Sequence, residues 1–309
     1  MSSTQPAHSG LAQAPSTERR LNTPRERTLI EIGARIAHEP APPNDWVFTH
    51  SILCQVGLPR SRVEGREFLR QCGDAWISIQ AGILDEGNGP VHQAVPYGAL
   101  PRLALALIST YAVRNKTREV PVGDSASEFL RMLNMTTGGG PRGQLTTLRR
   151  QMHALAACRL QIGFKGRTFN GQPVEQFDAW ISRDSQQRAL WPGVVLLSEG
   201  YFKELIDHGV PLDRRALLAL KGSALALDVY AWLAHRLHRI EGRPAILYWK
   251  SLREQFAQEY QGKDAAKDFR KKFLPALRAA LAVYPQAKVK QVTGGLMLMA
   301  SSPPISDKI

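Results

Sequence analysis

The sequence predicts an α+β protein made of two similar modules behind a flexible N-terminal tail. Three observations carry this expectation. Apolar residues at helical spacing alternate along the chain with short runs of period-two alternation, so helices and strands are interleaved. Serine-led capping patterns stand at matching places in the two halves, Ser125-Ala-Ser-Glu128 and Ser251-Leu-Arg-Glu254. Residues 1–45 are rich in Ser, Thr, Pro, Gln and Ala, a composition that cannot bury enough apolar surface to fold alone.

Composition narrows the function classes. The 309 residues allow two domains of ordinary size, and 43% hydrophobic content suffices for a sizeable core. The net charge of +13 and pI of about 10.0 point to an anionic partner: nucleic acid, a membrane surface or an acidic protein. The most apolar runs, Leu103–Ile108 and Leu217–Leu233, are too short or are interrupted by Lys221 and Asp228, so no membrane span is expected. No apolar region of a secretory signal is visible near Met1. Cys54, Cys72 and Cys158 are odd in number and widely spaced. They fit reduced thiols in a cytoplasm and neither a disulfide framework nor a zinc site.

In chain order, Glu18–Ile36 reads either as a short helix after Pro24 or as an arm that orders on contact with a partner. Trp76–Ile83 alternates Trp, Ser, Gln and Gly with Ile and Ala, a strand. Pro90–Pro101 is a proline-rich loop. Leu103–Arg114 is an apolar helix, and Val120–Val122 a short strand. The first capping box opens a helix that stops near Asn134. The glycine-rich loop Gly138–Gly143 lacks a following Gly-Lys-Ser/Thr, so it reads as a flexible connection and not a phosphate cradle. In the helix Leu145–Ala157, Leu145, Leu148, Met152, Leu155 and Ala156 form the inner face. Arg142, Thr146, Arg149, Arg150 and His153 lie on an outer flank, a residue mix that can meet phosphates and base edges. Leu160–Phe164 is a strand, Lys165–Gly171 a basic turn carrying Lys165 and Arg167, Phe177–Ile181 the returning strand and Val194–Leu197 a third. Tyr201–His208, Ala216–Leu220 and Ser223–Arg239 are helices, and Ile246–Trp249 is a strand.

The most strongly patterned stretch follows, Lys263–Pro285. At roughly 100° per residue, Ala266, Phe269, Phe273, Ala276, Leu277, Ala280 and Tyr284 share one face. Lys263, Lys267, Arg270, Lys271 and Arg278 lie away from it, with Leu274 and Leu281 intruding among them. A helix with aromatics inward and cations outward can sit against a phosphate backbone, although charge runs are often only solvated surface. Lys288 and Lys290 then share one face of the strand Ala287–Val292, which a Gly294-Gly295 turn joins to Leu296–Ala300 as a hairpin.

Each half thus reads as apolar helix, short strand, capped helix, loop, basic helix and hairpin. That order describes a winged helix-turn-helix, in which the third helix enters the major groove and the hairpin lies along the backbone. The expected division is a tail over 1–45, an N-terminal module over 46–198 and a C-terminal, main DNA-binding module over 199–309. Other features have plainer readings. His235 and His238 are three apart on a helix but lack a third metal ligand, and Asp228 in an apolar helix is expected to pair with a cation or cap a neighbour. Tyr230, Trp232 and Trp249 read as core aromatics more readily than as base-stacking platforms. No nucleophile–base arrangement or carboxylate cluster suggests a nickase, a primase or any other enzyme, and neither cofactor nor metal is expected.

Pro101–Arg114, Leu227-Asp-Val-Tyr-Ala-Trp-Leu233, Trp249-Lys-Ser-Leu-Arg-Glu-Gln-Phe256 and Lys267–Phe273 together resemble the plasmid-encoded RepA-type replication initiators, over roughly residues 45–305. The resemblance leads us to expect glycine after Gln255-Phe256, where this chain has Ala257. The resemblance implies binding to repeated double-stranded sequences (iterons) at a plasmid origin, origin opening, and recruitment of the host initiator and replicative helicase. It also implies autorepression, and a monomer–dimer balance with the N-terminal module at the dimer interface. A tandem winged-helix repressor without a replication role is the first alternative, and an enzyme, a nickase or primase, is the second.

Overall fold

The computed structural model describes residues 23–138, 140, 143–176, 193–257 and 263–306. The chain is mixed α+β, as expected. Helix α1 (Pro24–His38) is a correction to the tail: residues 24–38 are helical and packed. Thr23 accepts the Glu26 amide through its hydroxyl at 3.3 Å while its own amide donates to the Glu26 carboxylate at 2.8 Å, a complete capping box with Pro24 at the first helical position. Leu29, Gly33 and Ile36 form a buried stripe. At Gly33 the backbone of Ala282 comes so close that a Cβ would lie 1.8 Å from its carbonyl oxygen. The period of this stripe was present in the sequence, but the surface that buries it lies far downstream in the chain.

Strand β1 (Trp46–His50) and helix α2 (Ser51–Gln55) lead into β2 (Glu67–Cys72), β3 (Ala75–Gln80), β4 (Ile83–Asp85) and β5 (Pro90–His92). The expected strand Trp76–Ile83 is split at Gly82, whose backbone presses against the Ala157 carbonyl. Pro90–His92, expected as loop, pairs with β4. Then come α3 (Ala99–Asn115), β6 (Glu119–Pro121), α4 (Ala126–Met132), α5 (Gln144–Ala157), β7 (Arg159–Phe164), β8 (Arg167–Gly171), β9 (Val174–Gln176) and β10 (Val194–Leu197). The expected strand Phe177–Ile181 lies outside the described residues. The second half contains α6 (Glu199–His208), β11 (Gly209–Asp213), α7 (Arg214–Leu220), α8 (Ala224–Leu237), β12 (Ala245–Tyr248), α9 (Trp249–Phe256), α10 (Ala265–Ala282), β13 (Val289–Val292) and β14 (Gly295–Leu298).

The two halves repeat one topology. In the first, α3, β6, α4 and α5 are followed by β9 and β10 in a sheet of order β6-β10-β9. In the second, α8, β12, α9 and α10 are followed by β13 and β14 in a sheet of order β12-β14-β13. In both, the strand after the first helix pairs antiparallel with the last strand of the hairpin. The hairpin expected to follow α5 directly has a different place. β7 and β8 join β2 and β3 in a four-stranded antiparallel sheet, β2-β3-β7-β8, and the counterpart of β13–β14 is β9–β10. β1 pairs antiparallel with β11 from Trp46↔Asp213 to His50↔Gly209, so strand pairing crosses the division expected at 198/199.

The capping patterns fare differently. Ser125 caps α4 by accepting the Glu128 amide at 3.1 Å, while the Glu128 carboxylate accepts the Asp124 amide at 2.7 Å and not that of Ser125. Ser251 caps nothing: α9 already starts at Trp249, whose amide donates to the Gly294 carbonyl at 2.9 Å. The hairpin turn thus satisfies the first amide of α9, one of those that have no partner within the helix, and Ser251 stands at the third helical position. Ala257 ends α9 at φ −140°, a conformation that does not demand glycine.

The two first helices, α3 and α8, are locked together by Arg102 and Asp228. The guanidinium donates to the carboxylate twice, at 2.7 and 2.9 Å, and both side chains are about nine-tenths buried. Arg102 also donates to the carbonyls of Leu58, Pro59 and Gly98 at 2.5, 3.0 and 2.6 Å, and Arg60 approaches the same carboxylate at 3.7 Å. Gly57, at φ +61°, brings its backbone against the Asp228 carboxylate, where a side chain would collide. Asp228 therefore pairs with cations, as expected for a carboxylate in an apolar helix. Asp228→Ala would strand two guanidiniums in the interior and should cost about 3–5 kcal/mol in urea unfolding. Arg118→Ala, which breaks the exposed pair with Glu175, should cost less than about 1 kcal/mol.

Two imidazoles are buried nearby. Burial is the main cause that lowers His50 to about 4 and His235 to about 3, with neighbouring cations adding to the shift at His235. Both folded values lie below the usual 6.5, so the unfolded chain binds more protons in between. Stability from these groups is complete above pH 6.5 and drains as the pH falls towards 4, by up to about 2 kcal/mol per histidine at pH 5. Urea midpoints measured from pH 7.5 to 5 should fall accordingly, and His50→Asn should flatten the fall.

Candidate nucleic-acid interface

α10 is helical because alanine, leucine, lysine and arginine dominate it and its aromatics recur on one side. Phe269, Phe273, Ala276, Leu277, Ala280 and Tyr284 are buried as expected. Ala265, not Ala266, completes the inner face at the N-terminus, since Ala266 is exposed. Phe273 is the hub. Its ring centroid lies 5.0 Å from Phe269, 5.3 Å from Phe256 and 6.3 Å from Trp249. Phe256 in turn meets Trp232 edge-on at 5.3 Å. Trp232 and Tyr230 are thus core residues, and the Tyr230 hydroxyl accepts the Asp213 amide at 3.1 Å. Leu274 and Leu281, which interrupt the basic side, are half-buried against the same core.

Lys263, Lys267, Arg270 and Lys271 are exposed along the N-terminal half of α10, and Lys272, not singled out in the sequence, is exposed beside them. Arg270 holds its guanidinium 5.8 Å from the Trp249 ring centroid, a cation–π contact that biases its direction without neutralising its charge. Arg278 is exposed but sits apart. It borders a crevice with Glu26, Leu29 and Ile30 of α1, so α1 flanks the C-terminal half of α10 and leaves the N-terminal half open. Pro275, which cannot donate to the helix ladder, also lies in that crevice. Lys288 and Lys290 are exposed on the hairpin, Lys290 opposite Met297.

The first half offers fewer cations. On α5, Thr146 and Arg150 are exposed and Arg149 is half-buried, while Leu148, Met152 and Leu155 face the core. Leu145, assigned to the inner face, is only half-buried. Arg142 lies outside the described residues. His153 is a correction: it is 2% exposed, with Nδ1 3.1 Å from the Glu86 carboxylate. The segment that carries β4 and β5 covers the flank on which it was expected to be accessible, and burial holds its imidazole below its usual value. No pattern local to α5 reveals this cover. Lys165 stands at a turn, φ +48°, with its ammonium 5.5 Å from the Phe164 ring centroid. Arg167 is exposed but ion-paired with Glu204 at 2.5 Å, which reduces its availability to phosphate.

His235 and His238 each have a hydrogen-bond partner. The His235 ring is hydrogen-bonded to Arg239 and the His238 ring to the Ala234 carbonyl at 2.8 Å. Among the described residues no cluster of metal-ligating side chains occurs, and no helix is long and apolar enough to cross a membrane. His153→Ala should cost about 1–3 kcal/mol of stability, because a buried imidazole and its part-buried contact with Glu86 are removed, and should leave duplex-DNA affinity within twofold of the parent. Arg150→Ala should do the reverse, lowering affinity in a gel shift with a stability change within about 0.5 kcal/mol.

No curated protein matches the chain. A family model described as plasmid encoded RepA protein matches residues 95–250, just over half of the sequence. The matched span runs from the loop before α3 into the start of α9 and so includes both first helices and the Arg102–Asp228 lock between them. The chain belongs to the plasmid-encoded RepA family of replication initiators.

Proposed function

We propose that this replication initiator binds repeated double-stranded sequences, iterons, at a plasmid origin through two winged-helix modules. α5 and α10 act as the recognition helices, and the hairpins β9–β10 and β13–β14 as the wings. The observation that carries the reading is the open N-terminal half of α10. Lys263, Lys267, Arg270 and Lys271 stand exposed there on a helix that its aromatic core anchors rigidly. Such a surface releases counterions from a duplex, and Arg270, oriented by Trp249, can address a base edge. The repeated sheet order supports a second module of the same kind. Lys288 and Lys290 contact the backbone from the second wing, Arg149, Arg150 and Thr146 come from α5, and Lys165 and Arg278 are peripheral.

The same reading places the protein in the bacterial cytoplasm, in a monomer–dimer balance, where it opens the origin, recruits the host initiator and helicase and represses its own gene. It performs no catalysis. A tandem winged-helix repressor would share the duplex-binding surface. A plasmid carrying only the origin, with the protein supplied in trans, replicates under the initiator reading and disappears from the culture under the repressor reading.

Replacing Arg270 and Lys271 together with Ala should abolish the gel shift of origin DNA at moderate salt while the unfolding midpoint stays put. In a salt titration the log–log slope of any residual affinity should shrink by about 0.9, because the phosphate met by Lys271 is no longer neutralised. Unaltered binding would remove α10 from the interface.

A further inference from the structure

A cleft of about 300 Å³ opens away from α10, between β1–α2, the β7–β8 hairpin, α6 and the last turn of α8. Its polar groups are not those of an ordinary surface. His50 is 1% exposed and lines the cleft. Its Nδ1 accepts the Ile52 amide at 3.1 Å, which places the ring proton of the neutral imidazole on Nε2. That Nε2–H has no hydrogen-bond partner within 3.5 Å among the described residues; a Glu204 carboxylate oxygen, which also lies 3.7 Å from His208, is 3.6 Å away. The other Glu204 oxygen already accepts from Arg167. A buried donor left unsatisfied is destabilising, and native proteins rarely keep one without a use.

The rest of the lining states what would satisfy it. Ile52, Ile162 and Phe169 form apolar walls, and Phe164 is half exposed at the edge. Arg239 and Arg167 are exposed at the mouth, with one carboxylate, Glu204, between them and the deep histidine. The interior is therefore apolar-walled, with His50 joined in the lining by Ser51, Gln55, His208 and His235, and at the rim two arginines outnumber the one carboxylate. A ligand that fits has a flat apolar body with an acceptor at its deep edge and an anionic group at the other end.

We propose that this cleft binds one nucleotide unit, its base between the apolar walls with an acceptor on His50 Nε2–H and its phosphate at Arg239. The volume lies at the small end of ligand pockets, so a single nucleotide enters and a duplex does not. The unit comes from a free mononucleotide or from an unpaired strand, two sources with the same chemistry. This site is separate from the duplex surface of α10 and stands or falls independently of it.

The experiment uses the full chain at pH 7.5. Binding of dAMP is followed by isothermal titration, and binding of a fluorescein-labelled fifteen-residue oligothymidylate by anisotropy, each with inorganic phosphate as competitor. Arg239→Ala and His50→Asn are compared with the parent; asparagine can still accept the Ile52 amide but cannot extend a donor as far. Unfolding midpoints and duplex gel shifts serve as controls for folding and for the α10 surface. Saturable binding of dAMP that weakens at least tenfold in both variants supports the proposal with a free nucleotide as source. Binding of the oligothymidylate alone, weakened in the same way, supports it with an unpaired strand as source. Three results would overturn it: neither probe binds up to millimolar concentration, both variants that retain the parental midpoint bind as well as the parent, or phosphate displaces the probe as effectively as dAMP does.

Discussion

The Arg102–Asp228 pair is the constraint on which the arrangement of the two halves depends. A carboxylate in an apolar helix is tolerable only when its charge is met and its lone pairs are used. Arg102 meets both needs with a two-pronged contact, and its remaining donors reach three backbone carbonyls of the 58–59 and 98 segments. One guanidinium therefore sets the spacing of α3 against α8 and the path of the chain leading out of α2. Because α3 and α8 are the equivalent first helices of the two repeats, this charge pair joins repeat to repeat. Hydrophobic contact alone would hold the same surfaces together with less directional preference.

From α8 the constraint passes to α10 through aromatics. Trp232 meets Phe256, Phe256 meets Phe273, and Phe273 meets Phe269 and Trp249, all within 5.0–6.3 Å between centroids. The basic residues of α10 are thus carried on a helix whose inner side has little freedom to rotate. α1 adds a flank along its C-terminal half, where Gly33 permits backbone contact at Ala282. The half left open is the half with the densest positive charge.

Local pattern was enough for much of this. The helix α10, its inner row from Phe269 to Tyr284, the β13–β14 hairpin, the apolar helices α3 and α8, and the cation partner expected for Asp228 all follow from short-range spacing and the avoidance of unpaired buried charge. Expectation and structure part where a distant segment supplies what the local pattern leaves open. Ser251 is not the cap because α9 already begins at Trp249, whose amide the Gly294 carbonyl accepts across the hairpin. His153 is covered by the segment bearing β4 and β5, and Ile36 is buried on a helix that packs against α7 and α10. The hairpin after α5 is drawn into a sheet with β2 and β3, whose strands come much earlier in the chain.

The positive charge of the chain, the amphipathic character of α10 and the repeated order of helices and strands are properties of the sequence alone, because each depends on neighbours within a few residues. Which cations remain available, and which polar groups are left without a partner, is settled by tertiary packing. Arg167 is engaged by Glu204, Arg278 is set beside α1, and the His50 Nε2–H is buried facing a cleft whose walls come from four separate segments. Hydrogen bonds and desolvation act over a few ångströms in space, and no spacing along the chain records which residues the fold brings within that range.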